Sequence, residues 1–440
     1  MNRRIMIIFA VAVLWPVMAV ALAPDSTSWR NVFTDSLLVK LIETALDNNA
    51  DLNIAMLNVQ QADAALGAAR LSHLPEASIG VEGGASKTKG SSASYTYNVP
   101  LTMQWEADIA GRIKGEKRAA LAVYMSATEA EQAVKLNIIS SVASHYYTLL
   151  MMDDQLAITR QSIKVAQQTV EVMEAMKEVG MQNEADVSQA RVAWLNIAAS
   201  ENNLLRQIRS TENALAVVLG EQRDSIARAG SWDMTLPIDG NAVYPVFCLA
   251  WRPDVRMAEY ALKEEVAGVD VAKAAFYPSL NISASLGWTN NLGQIINPGQ
   301  ILMNAIGSLV QPLFNKGKNR ANLRIAEARQ QQALVAFNQA LLVAGTELKD
   351  ALDACRLSQQ RLQLREQEVN TAQRAYDVTI ELMKNSSSTY LEVLTAQDAL
   401  LQSRLALASD RLDLIQGQIN LFKAVGGNLS VAVSTNNEDE

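Results

Sequence analysis

The chain has 440 residues, a formal net charge of −8 and a sequence pI near 5.1. That acidic balance gives no reason to expect nucleic acid as a partner. Its 10 prolines and 21 glycines are few for this length, which argues against a string of turn-rich globular units and for one elongated helical body.

The N-terminus has the layout of an export signal over residues 1–21. Arg3 and Arg4 precede an apolar run over residues 5–14, and Ala19-Val20-Ala21 offers small residues for cleavage after Ala21. Cleavage after Ala23 is disfavoured by Pro24. A single membrane-anchor helix is the alternative, but Pro16 interrupts the run and the run is short for a span. No Cys follows the signal, so a lipid anchor on an N-terminal Cys is not expected. The only cysteines are Cys248 and Cys355. Cys355 falls on a heptad row and reads as a buried thiol; a disulfide between the two stays open.

After the signal, residues 29–49 hold a helical segment with Leu37, Leu38, Leu41 and Ile42 on one side. Residues 51–71 form a second amphipathic helix ending before Pro75. Its residues Asp51, Ala55, Ala64, Ala69 and Pro75 recur at one constant offset as Asp254, Ala258, Ala267, Ala272 and Pro278. Each Pro opens an alternating stretch: Ala77, Ile79 and Val81 in one copy, Leu280, Ile282, Ala284 and Leu286 in the other. Period-two alternation marks a strand with one apolar and one polar face.

A Gly/Ser/Lys-rich loop over residues 83–94 leads to the clearest strand. Tyr95, Tyr97, Val99, Leu101, Met103 and Trp105 alternate with Thr96, Asn98, Pro100, Thr102, Gln104 and Glu106. Pro100 lacks a ladder donor and weighs against a central position. The matching region, residues 290–314, reads as a loop and a less regular strand ending at Gln311-Pro312-Leu313-Phe314. The strand over residues 95–105 has the length of a membrane-crossing strand, with aromatics at both ends of its apolar face. A small soluble sheet is the alternative. Four strands cannot close a barrel in lipid without leaving edges unpaired, so a membrane wall requires several copies to pool their strands.

Next comes a helix over residues 114–179, about 100 Å long at about 1.5 Å per residue. Val142, Leu149, Leu156, Ile163 and Val170 repeat every seventh residue, with His145, Met152, Thr159, Ala166 and Met173 on a second row. This is a coiled-coil seam. A turn near residues 180–183 precedes a return helix over residues 184–219, ending at Gly220. The same pattern recurs over residues 319–383, where Leu341, Leu348, Cys355, Leu362, Val369, Tyr376 and Met383 share one heptad row. A turn over residues 384–389 and a return helix to Val425 follow. The chain therefore divides into a signal (1–21), a first repeat (22–220), an irregular linker (221–252), a second repeat (253–427) and a polar tail (428–440).

Little here suggests chemistry. His73 sits in a turn before Leu-Pro, His145 lies on a heptad row, and neither has an acid-and-nucleophile pattern nearby. No phosphate-cradling Gly loop occurs, so no enzyme, cofactor or metal is expected. Met151, Met152, Met173, Met176 and Met181 could suit Cu(I), but they fit core packing on the seam better.

Several junctions resemble the TolC-like outer-membrane factors, exit ducts of Gram-negative efflux and type I secretion systems. Trp105-Glu106-Ala107-Asp108-Ile109-Ala110-Gly111-Arg112 is similar to the family's first strand-to-helix junction, and Gln311-Pro312-Leu313-Phe314-Asn315-Lys316-Gly317 to its second. Tyr390-Leu391-Glu392-Val393-Leu394-Thr395-Ala396-Gln397 is similar to the start of the family's last helix, and Ala424-Val425-Gly426-Gly427 to its end. The opening Asn48-Asn49-Ala50-Asp51-Leu52 is similar to subunits serving resistance-nodulation-division pumps, many of which carry a lipidated Cys that this chain lacks.

The resemblance implies a mainly α fold with a membrane β-barrel portion, internally duplicated. A homotrimer would pool four strands per chain into a shared twelve-stranded barrel in outer-membrane lipid. The long helices would form an α-barrel reaching into the periplasm. It implies passive conduction for an inner-membrane pump, through a periplasmic adaptor. A type I secretion duct is the alternative within the family, and a structural periplasmic coiled coil the alternative outside it. The cargo is not legible. Glu392 matches an acidic position of the family's periplasmic constriction, Asp186 is its partner in the first half, and Thr395 stands where some members carry a second acid. Without the resemblance, both acids read simply as complements to a helix dipole. The adaptor would meet the turns carrying Gly180, Met181, Gln182 and Asn183, and Lys384, Asn385, Ser386 and Ser387.

Overall fold

A computed structural model describes residues 28–87, 89–90, 93–230, 236–238, 240, 242–289, 300–384 and 389–427. The proposed signal and tail, and the tip residues Asn385, Ser386 and Ser387, lie outside them.

The elements run α1 (Ser28–Val32), α2 (Ser36–Asn48), α3 (Ala50–Leu71), β1 (Glu76–Ile79), β2 (Glu82–Ser86), β3 (Ser94–Ala107), α4 (Arg112–Glu178) and α5 (Glu184–Leu219). A 3₁₀ turn (Val246–Trp251) lies in the linker. Then come α6 (Pro253–Ala274), β4 (Ser279–Thr289), β5 (Gln300–Val310), α7 (Lys318–Lys384) and α8 (Tyr390–Ala424). The long helices α4 and α7 have 67 residues each, and the return helices 36 and 35. Two compact units form, each drawing on both repeats. One contains Ala55–Glu131 and Asp254–Ala340, and the other contains Gln132–Pro253, the chain before Ala55 and the chain after Ala340.

The first unit holds one antiparallel sheet. Its order is β1, β3, β4, β5, with β2 also paired to β3. The first strand expected from sequence is thus two pieces in a single register: Ile79 faces Leu101 and Glu82 faces Asn98. The break has a simple cause. Gly80 N–H donates to the Pro100 carbonyl at 3.0 Å, but Pro100 has no N–H to return, and the ladder lapses there. Against the expectation from sequence, Pro100 lies in a strand paired on both sides, opposite Gly287 of β4. Its N and C=O point toward β1, so on the β4 side it is a pair that needs no hydrogen bond. β5 ends at Val310, so Gln311-Pro312-Leu313-Phe314 lies beyond the strand.

The second unit is helical. Along α4, Val142, Leu149, Leu156, Thr159, Ala166, Val170 and Met173 are buried, as the seam requires. On α7, Leu348 and Cys355 are buried. Cys248 and Cys355 are both free thiols. A Cβ on Gly417 of α8 would lie 3.3 Å from the Cys355 sulfur, so this seam closes on a glycine. Burial pushes the Cys355 thiol up to about 11.

Gly220 ends α5 in the left-handed region, with φ of 69°. A Cβ there would stand 2.5 Å from the Asn48 carbonyl oxygen. Gly220→Ala should therefore lower thermal stability by about 1–2 kcal/mol from the backbone alone, with the clash adding to it. A melting temperature equal to wild type would show that Asn48 moves aside freely.

Candidate functional site

Two surfaces stand out, one in each unit. In the first unit it is the sheet. Register sets its side chains in rows: Ile79, Leu101, Leu286 and Met303 lie side by side, as do Val99, Trp288 and Ile301. All these residues belong to one face, and Ile79 and Met303 are 74% and 80% exposed. The other face carries Ser78, Thr102, Ser285 and Asn304 in a row, with Ser78 and Thr102 hydroxyls 2.7 Å apart. A soluble sheet would bury its apolar face; this one leaves it open. Among the described residues both edges, β1/β2 and β5, are unpaired. No helix among them is long and apolar enough to cross a membrane.

Two of the motifs quoted for the resemblance, residues 105–112 and 311–317, prove to be the joints of this sheet. Trp105 Nε1 donates to the His73 carbonyl at 2.9 Å, tying β3 to the turn after α3. Glu106 grips Arg112 through two hydrogen bonds of 3.0 and 2.6 Å. Asp108 accepts from the Ile113 and Lys114 amides at 3.1 and 2.8 Å and so caps α4. The second junction repeats the device: Gln311 Nε2 donates to the Phe276 carbonyl at 2.9 Å. Gly111 and Gly317 turn both joints with φ of 77° and 80°.

In the second unit the candidate surface is the helix tips. Gly180, at φ of 77°, ends α4. Its amide donates to Lys177 O and the Met181 amide to Met176 O, the reciprocal pattern of a Schellman end. Asn183 then caps α5: its side chain accepts from the Asp186 amide at 3.0 Å, and its own amide donates to the Asp186 carboxylate at 3.4 Å. At α8 the Thr389 amide donates to the Glu392 carboxylate at 3.2 Å. Asp186 and Glu392 are thus third residues of two capping boxes. Glu392 and Thr395 are exposed, Asp186 half-exposed. Thr395 donates to the Leu391 carbonyl at 2.9 Å, one turn from Glu392.

Beneath the tips lies a core drawn from four helices. Val170, Met173, Val187, Ala190 and Tyr390 are buried, with Met176, Trp194, Met383 and Leu394 packed around them. Met173 is packing, not an open thioether, whereas Met181 is exposed. Sequence reasoning placed Tyr390 at the start of the last helix but gave it no role. Its hydroxyl is buried without a hydrogen-bond partner among the described residues. Burial, then nearby Asp186, pushes it up to about 12. The signal was an aromatic residue opening α8, legible only once Asp186 was known to lie near it. Among the described residues no His, Cys, Asp and Glu group could hold a metal ion.

The sequence profile of the outer membrane efflux protein family matches residues 41–221 and 247–427. A probable outer membrane lipoprotein of Salmonella typhimurium, SilC, is 29% identical over 92% of this chain and 88% of its own length. The toluene efflux pump outer membrane protein TtgI of Pseudomonas putida is 29% identical over 92% of this chain and 88% of its own. The crystal structure of CusC superposes with a TM-score of 0.85 at 27% identity, covering 92% of this chain and 95% of that one. With both halves matched, the chain belongs to the outer membrane efflux protein family and is an outer-membrane exit channel.

Proposed function

We propose that three copies assemble into one conduit, each adding its sheet to a shared barrel of twelve strand positions. The carrying observation is the uncovered apolar face of a sheet whose two edges are open. In lipid, open edges are costly and closure removes them. The polar face, with Ser78, Thr102, Ser285 and Asn304, then lines the lumen. An inner-membrane pump supplies the energy and chooses the cargo, and a periplasmic adaptor meets the tips at Gly180, Met181, Gln182, Asn183 and the turn from Lys384. The names of relatives such as the toluene efflux pump protein support the pump reading. Mass and low-resolution shape of the detergent-solubilised mature protein test it. A hollow trimer with a detergent belt is expected; a detergent-free monomer would overturn the barrel.

At the tips, Glu392, Asp186 and Thr395 line the constriction, where converging carboxylates favour cations. Their capping role and this role can be separated. Glu392→Gln keeps an acceptor for the Thr389 amide but removes the charge. Melting temperature should hold within about 1 °C, and the cation preference of single channels should fall. An unchanged preference would leave Glu392 as a cap alone.

A further inference from the structure

The strand register places the start of β1, the end of β3, the start of β4 and the end of β5 at one rim of the sheet: Glu76 faces Gln104, Ala107 faces Leu280 and Ser279 faces Val310. This is the rim from which α4 and α7 begin. Its large apolar side chains are exposed: Leu74, Ile109, Tyr277, Leu313 and Phe314, the last two at 93% and 86%. Beside them the chain is densely basic. Lys114 and Lys117 open α4, and Lys316, Lys318, Arg320 and Arg324 surround the start of α7, all exposed. Arg112 and Arg118 are neutralised by Glu106, Glu116 and Asp270. The other six make no ion pair among the described residues.

Neither long helix has an acid in its first turn. At α4 the Asp108 carboxylate already offsets the dipole, but at α7 Lys318 and Arg320 run against it, and an external anion would offset that cost. An apolar and aromatic collar bordered by unpaired Lys and Arg is the pattern of a surface that sits at a membrane interface and meets phosphate.

We infer that this rim is a docking surface for anionic phospholipid of the periplasmic leaflet. The apolar collar enters the leaflet, and the six cations take headgroup phosphates. The inference rests on the sheet being the membrane wall and goes beyond it, by assigning a lipid preference to one rim.

The test is native mass spectrometry of the detergent-solubilised full chain, titrated separately with phosphatidylglycerol and phosphatidylcholine. Phosphatidylglycerol should be retained about tenfold more, or better. The triple variant K316Q/K318Q/R320Q, and independently K114Q/K117Q, should bring the two lipids toward parity. A control that removes three exposed cations of the helical unit, K164Q/K349Q/R374Q, should keep the preference. Equal retention of both lipids by the wild-type trimer would overturn the inference alone. So would an equal loss in the control, which would mean net charge only, or displacement of the lipid by inorganic phosphate. A wild-type monomer in the same spectra would instead count against the shared barrel.

Discussion

Leu286→Arg is expected to abolish assembly in the outer membrane, while its neighbour Ser285→Arg is tolerated. Leu286 stands mid-strand between Leu101 and Met303 on the apolar face. An Arg at the midplane of a lipid-facing strand costs about 2–4 kcal/mol. Each copy of the proposed trimer bears that penalty, so the total is severalfold larger. Ser285 lies between Thr102 and Asn304 on the polar face, where an Arg meets water and alters conduction instead. Membrane fractionation and the amount of intact oligomer in gels read the first effect, and channel recordings the second. Equal loss in both variants would mean that the two faces had been assigned wrongly, since only burial in lipid separates adjacent positions so sharply.

Arg228→Met should cause a large loss of stability in the helical unit. Arg228 follows α5 in the linker and bridges two helices. Its Nη2 donates to Asp153 of α4 at 2.9 Å, and its Nη1 to Glu212 of α5 at 2.6 Å. Its side chain is 15% exposed and that of Glu212 11%. Hydrogen bonds to Asp153 and then Glu212 hold the guanidinium firmly protonated against its burial. Removing one partner of a buried pair costs about 3–5 kcal/mol. Asp153 is 37% exposed, so about 2–3 kcal/mol is the better expectation here.

The linker is held by a second contact close by. The Ala229 amide donates to the Tyr146 hydroxyl at 3.1 Å, and that hydroxyl donates to Asp35, the N-cap of α2. Loss of Arg228 should therefore loosen residues 221–230 before it melts the helices. Thermal unfolding of the solubilised protein gives the shift, and hydrogen exchange locates it. Adding Asp153→Asn and Glu212→Gln to Arg228→Met should recover much of the stability, because the stranded charges are then gone. An Arg228→Met melting temperature equal to wild type would show that water replaces the guanidinium at no cost.

What the sequence determined by itself was local. The heptad rows from Val142 and from Leu341 specify long helices because a period near 3.5 admits no other regular structure. Gly111, Gly180, Gly220 and Gly317 mark the joints because only glycine takes those backbone angles easily. Alternation from Tyr95 to Trp105 gives the strand its two faces.

The tertiary structure decided what depends on partners distant in the chain. It pairs β3 with β4, although α4, α5 and α6 lie between them in sequence. It splits the first strand opposite Pro100, a break that requires knowing which residue faces the proline. It binds Arg228 to Asp153 and Glu212, and buries Tyr390 near Asp186. These follow from charge and packing across helices, and periodicity along one helix carries no trace of which neighbour it meets. The two capping boxes lie between these cases. The sequence places Asp186 and Glu392 near helix starts, as complements to a dipole, but only the folded turns show that each closes a capping box, with Asn183 or Thr389, and still reaches the surface.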